Sequence, residues 1–183
     1  MAEGKKNEEV VIMTASLARL LRQSISNEDE LVTVGQEIEY VRSYLTIQKM
    51  RYKDKLEFEI DVEPSILNIP LIKLVLQPII ENAIYHGLKY KESKGLLQVK
   101  GFMKDGNAVL QVIDNGVGMD EETLSHIYDK HKVNYHSNGV GVYNVQKRLK
   151  LYYGENYGIT YESEKGVGTT ATIIIPGIQE ESI

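Results

Sequence analysis

Hydrophobic positions along the chain change period twice, and the changes divide it into blocks. Residues 9 to 25 place Val10, Met13, Leu17, Leu20 and Leu21 at helical spacing, leaving Arg19, Arg22 and Gln23 for the wet face. This predicts an amphipathic helix in need of a partner. Ser26 to Glu30 reads as a polar linker, and Thr33 with Gln36 three positions on forms a capping box. The helix it opens is expected to run to about Lys53, with Ile38, Val41, Leu45 and Met50 as its stripe. From Leu56 the period becomes two, with Leu56, Phe58, Ile60 and Val62 on one side and Glu57, Glu59 and Asp61 on the other, as in a strand with one solvated face. A domain boundary is therefore expected at 53 to 55, separating residues 1–53 from residues 54–183.

Pro70 suits the first turn of a helix over 70 to 87, and Pro78 inside that helix is expected to kink it. Strands follow at 96 to 103 and 107 to 113, joined by the turn residues Lys104-Asp105-Gly106-Asn107. A short helix from Glu121 to Asp129 leads into a polar stretch without period that ends at Asn138. A helix from Gly141 to about Tyr153 stops before Gly154, and strands at 158 to 163 and 169 to 175 flank the Glu164-Lys165-Gly166 turn. Hairpins mixed with helices predict an α+β two-layer sandwich, a mixed sheet covered on one face by helices and preceded by two more.

Composition narrows the choices. With 183 residues, 42% hydrophobic and 26% charged, the chain is in the ordinary globular range. A net charge of -5 supplies no basic field for a polyanionic backbone, so no nucleic acid partner is expected. Cysteine is absent, which removes disulfides, thiolate metal sites and thiol nucleophiles and fits a reducing, cytoplasmic setting. No apolar run approaches the roughly 20 residues of a membrane span, and Met1 to Lys6 leads into no signal-peptide core. A larger parent could still be membrane anchored.

Three stretches carry candidate chemistry. In Ile113-Asp114-Asn115-Gly116-Val117-Gly118-Met119 an apolar strand ends in a carboxylate and two glycines. Taken alone this is a strand and a turn. In a nucleotide site, Asp114 would accept a hydrogen bond from the exocyclic amine of adenine, and Gly116 and Gly118 would let the backbone approach the flat base. In Leu76 to Gly87 (LQPIIENAIYHG), Glu81 and Asn82 fit the solvated side of a helix. They also fit a metal site, with Asn82 giving a neutral oxygen to a magnesium ion on the phosphates, Glu81 working on a metal-bound water and His86 near the phosphate tail. Asn138-Gly139-Val140-Gly141 opens a helix whose free N–H groups and dipole favour an anion. His126, His131 and His136 recur every five residues, a spacing that does not align them on a helix, and no metal is assigned to them. In Gly166 to Thr172, either a plain hairpin or a contact from Thr170 to the base beside Asp114 is consistent with the pattern.

LQPIIENAIYHG, IDNGVGM, NGVGVYNVQKRL and GVGTTATIIIP together resemble the four conserved boxes of the ATP-binding superfamily of histidine kinases, gyrase B, Hsp90 and MutL. The ENAIYHG version and the NVQKRLKLYYG continuation look most like the LytS/YehU class of sensor histidine kinases. The resemblance covers residues 54 to 176. It extends upstream, where MTASLARLLRQSI and VGQEIEYVRSYLTIQKMRY are similar to that class's second dimerisation helix and connector. It implies the Bergerat sandwich, a lid at 119–138, and ATP with magnesium as cofactors. The ATP-binding residues implied are Asn82, Asp114, Gly116, Gly118, Met119, Asn138, Gly139, Val140, Gly141 and Thr170, with Asn82 also on the metal and Glu81 and His86 catalytic. The reaction implied is transfer of the γ-phosphoryl group to a histidine and then to a response regulator, within a homodimeric, membrane-anchored parent whose cytoplasmic portion this is.

Two departures matter. The class carries Leu-Arg where this chain has Val142-Tyr143, which removes a basic residue from the phosphate side. None of His86, His126, His131 and His136 sits in the class's Asn-Pro-His-Phe acceptor context. This implies either a fragment cut between the two dimerisation helices or a natural protein lacking its acceptor, in both cases unable to phosphorylate itself; Met1 opening onto a loop favours the fragment. Alternative readings are an ATP-binding regulatory module or an anti-sigma-type serine kinase without histidine transfer, and a self-contained ATPase, which the missing second domain disfavours.

Overall fold

The computed structural model describes residues 2–25, 30–127 and 139–177. Helix α1 (Ala2–Ile25) begins seven residues before the expected start at residue 9, so the segment from Ala2 is helix where a loop was expected. Val10, Leu17 and Leu21 on it remain more than half exposed, at 62%, 51% and 53%. It lies beside α2 (Val34–Tyr52), with Arg19 and Glu39 paired at 3.2 Å. The capping box of α2 is complete: Thr33 Oγ1 accepts the Gln36 N–H at 3.2 Å, and Gln36 Oε1 accepts the Thr33 N–H at 2.8 Å. Ile38, Val41 and Leu45 are buried as the stripe requires, whereas Met50 is only partly covered.

Pro70 is where the chain departs from expectation. Strand β1 (Leu31–Thr33) pairs antiparallel with β3 (Pro70–Ile72), so Pro70 opens a strand and not a helix. Proline at the first position of a short edge pairing loses no needed ladder bond. After Leu74, which takes φ 60, helix α3 (Leu76–Asn82) begins. Pro78 therefore lies in its first turn, where its missing N–H has no intrahelical partner to lose and no helical bond is broken. The irregularity comes later, as a π-helical turn over Ala83–Leu88 closed by Lys89 N–H on the Ile84 carbonyl at 2.9 Å.

The main sheet contains β2 (Leu56–Val62), β4 (Gly95–Lys104), β5 (Asn107–Asp114), β6 (Gly158–Glu164) and β7 (Gly168–Pro176), in the order β2-β4-β5-β7-β6. Only β2 and β4 run parallel. Asp105 and Gly106, at φ 49 and 77, make the tight β4–β5 turn, in which both central residues need positive φ. Between β5 and β6 lie α4 (Glu121–Ser125), shorter than expected, and α5 (Gly139–Tyr153). Asp129, the expected end of α4, lies outside the described residues.

One apolar layer joins helices to sheet. Leu45 of α2, Ile79 and Ile80 of α3 and Leu149 of α5 meet Leu97, Leu110 and Ile173 of the strands, all at 2% exposure or less. The other sheet face carries Gln98, Lys100, Gln111, Thr170 and Thr172, partly exposed. This is the two-layer α+β sandwich, and its sheet ends at Asp114 beside the C-terminal end of α3.

Candidate nucleotide site

A cavity of about 590 Å³ opens between α3 with its π turn, the ends of β5 and β7, and α4. Its floor is apolar, made by Ile79, Ala83, Val112 and Ala171, and its few polar groups come from the loops and helix ends. That composition suits a flat heteroaromatic ring held by a small number of placed polar atoms.

Asp114 sits at the base of this cavity and is 6% exposed. Its Oδ1 accepts the Gly116 N–H at 2.8 Å, and the Thr169 N–H also reaches the carboxylate. Burial pushes the carboxyl up to about 6, against those two N–H groups and the charge of Lys91. Gly87 and Gly116 close around it. A Cβ at Gly87 would stand 2.8 Å from Asp114 Oδ1, and one at Gly116 would stand 2.4 Å from the Gly87 carbonyl carbon. Gly118 lines the cavity at φ 63, and a Cβ there would strike the Glu164 carbonyl oxygen. The loop after β5 is thus clamped to the β6–β7 hairpin, with Met119 N–H on Ser163 Oγ at 2.8 Å and Gly166 N–H on the Val117 carbonyl at 2.7 Å.

Asn82 and His86 reach the cavity from the other side. The Oδ1 of Asn82 is buried and has no hydrogen-bond partner among the described residues. An orphaned buried oxygen is costly unless a donor or a cation satisfies it, so its chemistry fits a hard cation. No group of three or more His, Asp or Glu suited to a metal occurs among the described residues, so a cation here would take most of its ligands from phosphate and water. His86 is exposed at the cavity edge, and partial burial followed by the charge of Lys89 pushes its imidazole down. Its ring nitrogens can hydrogen-bond a phosphate oxygen at the cavity edge.

Several expected residues lie away from the described lining. Glu81, one position from Asn82 and so about 100° around the helix, does not line the cavity; its Oε1 accepts from Gln77 Nε2 at 2.9 Å on the side facing α2. In this arrangement its carboxylate is engaged by Gln77 and not by the cavity. Thr170 pairs with Ile113 and projects from the other face of the sheet, whereas Thr169, opposite Asp114, lines the cavity. Gly139, Val140 and Gly141 form the first turn of α5. Gly141 allows α5 to approach α3, since a Cβ there would lie 3.1 Å from Pro78 Cβ. Asn138, His131 and His136 lie outside the described residues. Glu122, Thr123 and His126, at and just after α4, line the cavity without having been singled out as contacts, because their placement depends on the Asp120 cap that turns α4 over the opening.

Comparison with known proteins agrees with this geometry. Residues 68–179 match the family model described as histidine kinase-, DNA gyrase B-, and HSP90-like ATPase, and residues 1–56 match the model described as histidine kinase. The chain is 32% identical over 176 residues to the sensor histidine kinase YesM of Bacillus subtilis, covering 96% of this chain and 29% of that protein. It is 33% identical to the sensor protein LytS of Oceanobacillus iheyensis, covering 76% of this chain and 24% of that one. The chain thus spans less than a third of the length of these relatives. Among solved structures, the histidine kinase domain of the Erythrobacter litoralis EL346 blue-light activated histidine kinase superposes with a TM-score of 0.58 at 16% identity, over 92% of this chain and 74% of that one. The catalytic domain of histidine kinase ThkA gives 0.61 at 15% identity, over 80% and 96%. These two show the shared fold.

Proposed function

Since the chain belongs to the histidine kinase-, DNA gyrase B- and HSP90-like ATPase family and resembles its sensor histidine kinases, we propose that it binds Mg·ATP and donates the γ-phosphoryl group to a histidine of a two-component sensor kinase. That histidine would in turn supply a response regulator. Residues 54–183 form the ATP-binding unit in this reading, and residues 1–53 the dimerisation and connector helices of a homodimeric parent, membrane anchored elsewhere and cytoplasmic here. Among the described residues no helix is long and apolar enough to cross a membrane.

The observation that carries the proposal is the pairing, across one apolar cavity, of a buried carboxylate and an orphaned amide oxygen. Asp114 accepts from the exocyclic amine of adenine. Gly116 and Gly118 keep the backbone low enough for the ring to lie against it, with Met119 and Thr169 at its edges. The Asn82 oxygen faces the phosphate side, where it would hold magnesium, a bound ion that supplies charge neutralisation on the phosphates. His86 donates a hydrogen bond there. The first turn of α5, Gly139, Val140 and Gly141, would offer its free backbone N–H groups to the triphosphate, and the sequence motif adds Asn138, which lies outside the described residues. The protein positions and neutralises, and no covalent intermediate with this chain is needed.

The acceptor histidine is taken to lie outside this sequence, as none of its four histidines has the acceptor context. The test follows directly. The chain is mixed with a folded, dimeric acceptor helix of the sensor kinase class and γ-labelled Mg·ATP, and label stable to base but lost in acid is expected on the helix. No acid-labile label under these conditions would instead favour an ATP-binding switch module.

A further inference from the structure

Helix α3 carries Asn82 at its last position, yet it starts without a cap of its own: Val75, the residue before Leu76, makes no side-chain capping bond. The cap comes from another helix. Glu37 of α2 is 2% exposed, and its two carboxylate oxygens accept the N–H groups of Leu74 and Leu76, each at 3.0 Å, with the Val75 N–H also directed at it. A carboxylate on the first-turn amides satisfies donors that a helix cannot satisfy itself and complements the positive end of its dipole. Leu74 is held at φ 60, a left-handed conformation unfavourable for a branched side chain, and Glu37 takes its N–H directly.

The attachment continues along α2. Glu37, Tyr40, Tyr44 and Gln48 recur at three- and four-residue spacing and so share one face. Tyr40 Oη donates to Gln77 Oε1 at 2.8 Å, and Gln77 Nε2 donates to Glu81 Oε1 at 2.9 Å. Tyr44 bonds both Tyr85 and Gln48, and burial with the charge of Glu81 pushes its phenol up. The same short segment receives α5, whose Arg148 Nη2 donates to the Lys73 carbonyl at 3.0 Å and whose charge opposes the upward push of burial on Glu37. Downstream of Asn82 the helix changes to π register, so the register of the α-helical turns that present Asn82 is set from the capped end.

We propose that Glu37, reinforced by Tyr40, is a positioning residue that fixes α3 and thereby aims Asn82 at the metal, so that the connector helix α2 sets the metal half of the nucleotide site and not the adenine half. This rests on the reading that Asn82 holds magnesium. Asp114 lies on β5, its hydrogen bonds come from Gly116 and Thr169, and its contact with the helix is through Gly87 beyond the π turn, which is why the two halves separate.

The test measures ATP affinity by calorimetry with magnesium and with EDTA, for the full chain carrying Glu37→Gln, Tyr40→Phe or Asn82→Ala, and for the double variants with Asn82→Ala. Glu37→Gln is expected to cut the magnesium-dependent gain in affinity by about fivefold or more, and Tyr40→Phe by less. Affinity in EDTA should stay within about twofold, and neither change should have a further effect once Asn82 is alanine. Equal losses with and without magnesium, an unchanged gain despite a lower Tm, or additive losses in the Asn82→Ala background would each overturn the proposal. Should Glu37→Gln not fold, Tyr40→Phe, which strands no buried charge, is read by the same criteria. If Asn82→Ala alone keeps the full magnesium gain, the metal assignment fails first and the positioning role falls with it, a pattern distinct from failure of Glu37 alone.

Discussion

Replacing Asp114 with Asn is expected to weaken ATP binding at least tenfold while the chain still folds. A charge-assisted hydrogen bond to the adenine amine contributes about 1.5 to 3 kcal/mol, which is roughly ten- to hundredfold in affinity. An asparagine amide in the same place keeps only one acceptor oxygen, uncharged, for the Gly116 and Thr169 N–H groups and the adenine amine that the carboxylate serves with two. Calorimetry reads the loss directly. The titration of Asp114 adds a second signature. Because burial holds it up to about 6, the free site loses its charged acceptor as pH falls through 6. The ratio of wild-type to Asp114→Asn affinity should therefore be largest above pH 6 and shrink below it, and taking the ratio cancels the titration of the nucleotide itself. The sign for stability is opposite. With its folded value raised from the usual 3.8, Asp114 contributes stability that is complete below about pH 4 and lost as pH rises through 6, on the order of 3 kcal/mol. At neutral pH the fold thus carries the cost of a buried charge that nucleotide binding puts to use. An affinity unchanged by Asp114→Asn would refute the base contact.

Asn82→Ala should abolish the magnesium-dependent part of ATP affinity and lower phosphotransfer to an acceptor helix in trans on the order of a hundredfold, the usual cost of removing one group aimed at developing charge. Thermal stability should hold or rise. The Oδ1 of Asn82 has no hydrogen-bond partner among the described residues, so truncation there leaves no lost bond behind and relieves a buried orphan oxygen. Melting of the domain, with the magnesium effect intact in what remains folded, would return Asn82 to a purely architectural part.

The features legible in the sequence are those whose physics is local. The Thr33 and Gln36 capping box forms with both bonds because its partners are three residues apart. The Asp105-Gly106 turn follows from its own backbone requirement, and Asp114, Gly116 and Gly118 occupy a single loop. What was not legible depends on partners far along the chain. Pro70 belongs to a strand because Leu31–Thr33, nearly forty positions earlier, pairs with it. Thr169 and not Thr170 faces the cavity because the β5–β7 register puts it opposite Asp114, and a shift of one residue turns every side chain to the other face. Glu81 sits beside Asn82 in the chain, but the direction it faces is set by Gln77 and the neighbouring α2. Glu37 reads as one more acid on a helix surface until the amides of Leu74 and Leu76 appear beneath it.

The central claim, an adenine-reading nucleotide pocket, is tested most directly by titrating the unaltered chain with ATP and with GTP in the presence of magnesium. Guanine presents an acceptor where adenine presents its amine, and against the Asp114 carboxylate that substitution replaces an attraction with a repulsion. The account predicts saturable ATP binding with at least about a tenfold advantage over GTP. Equal affinity for the two nucleotides, or no binding of ATP, would contradict it.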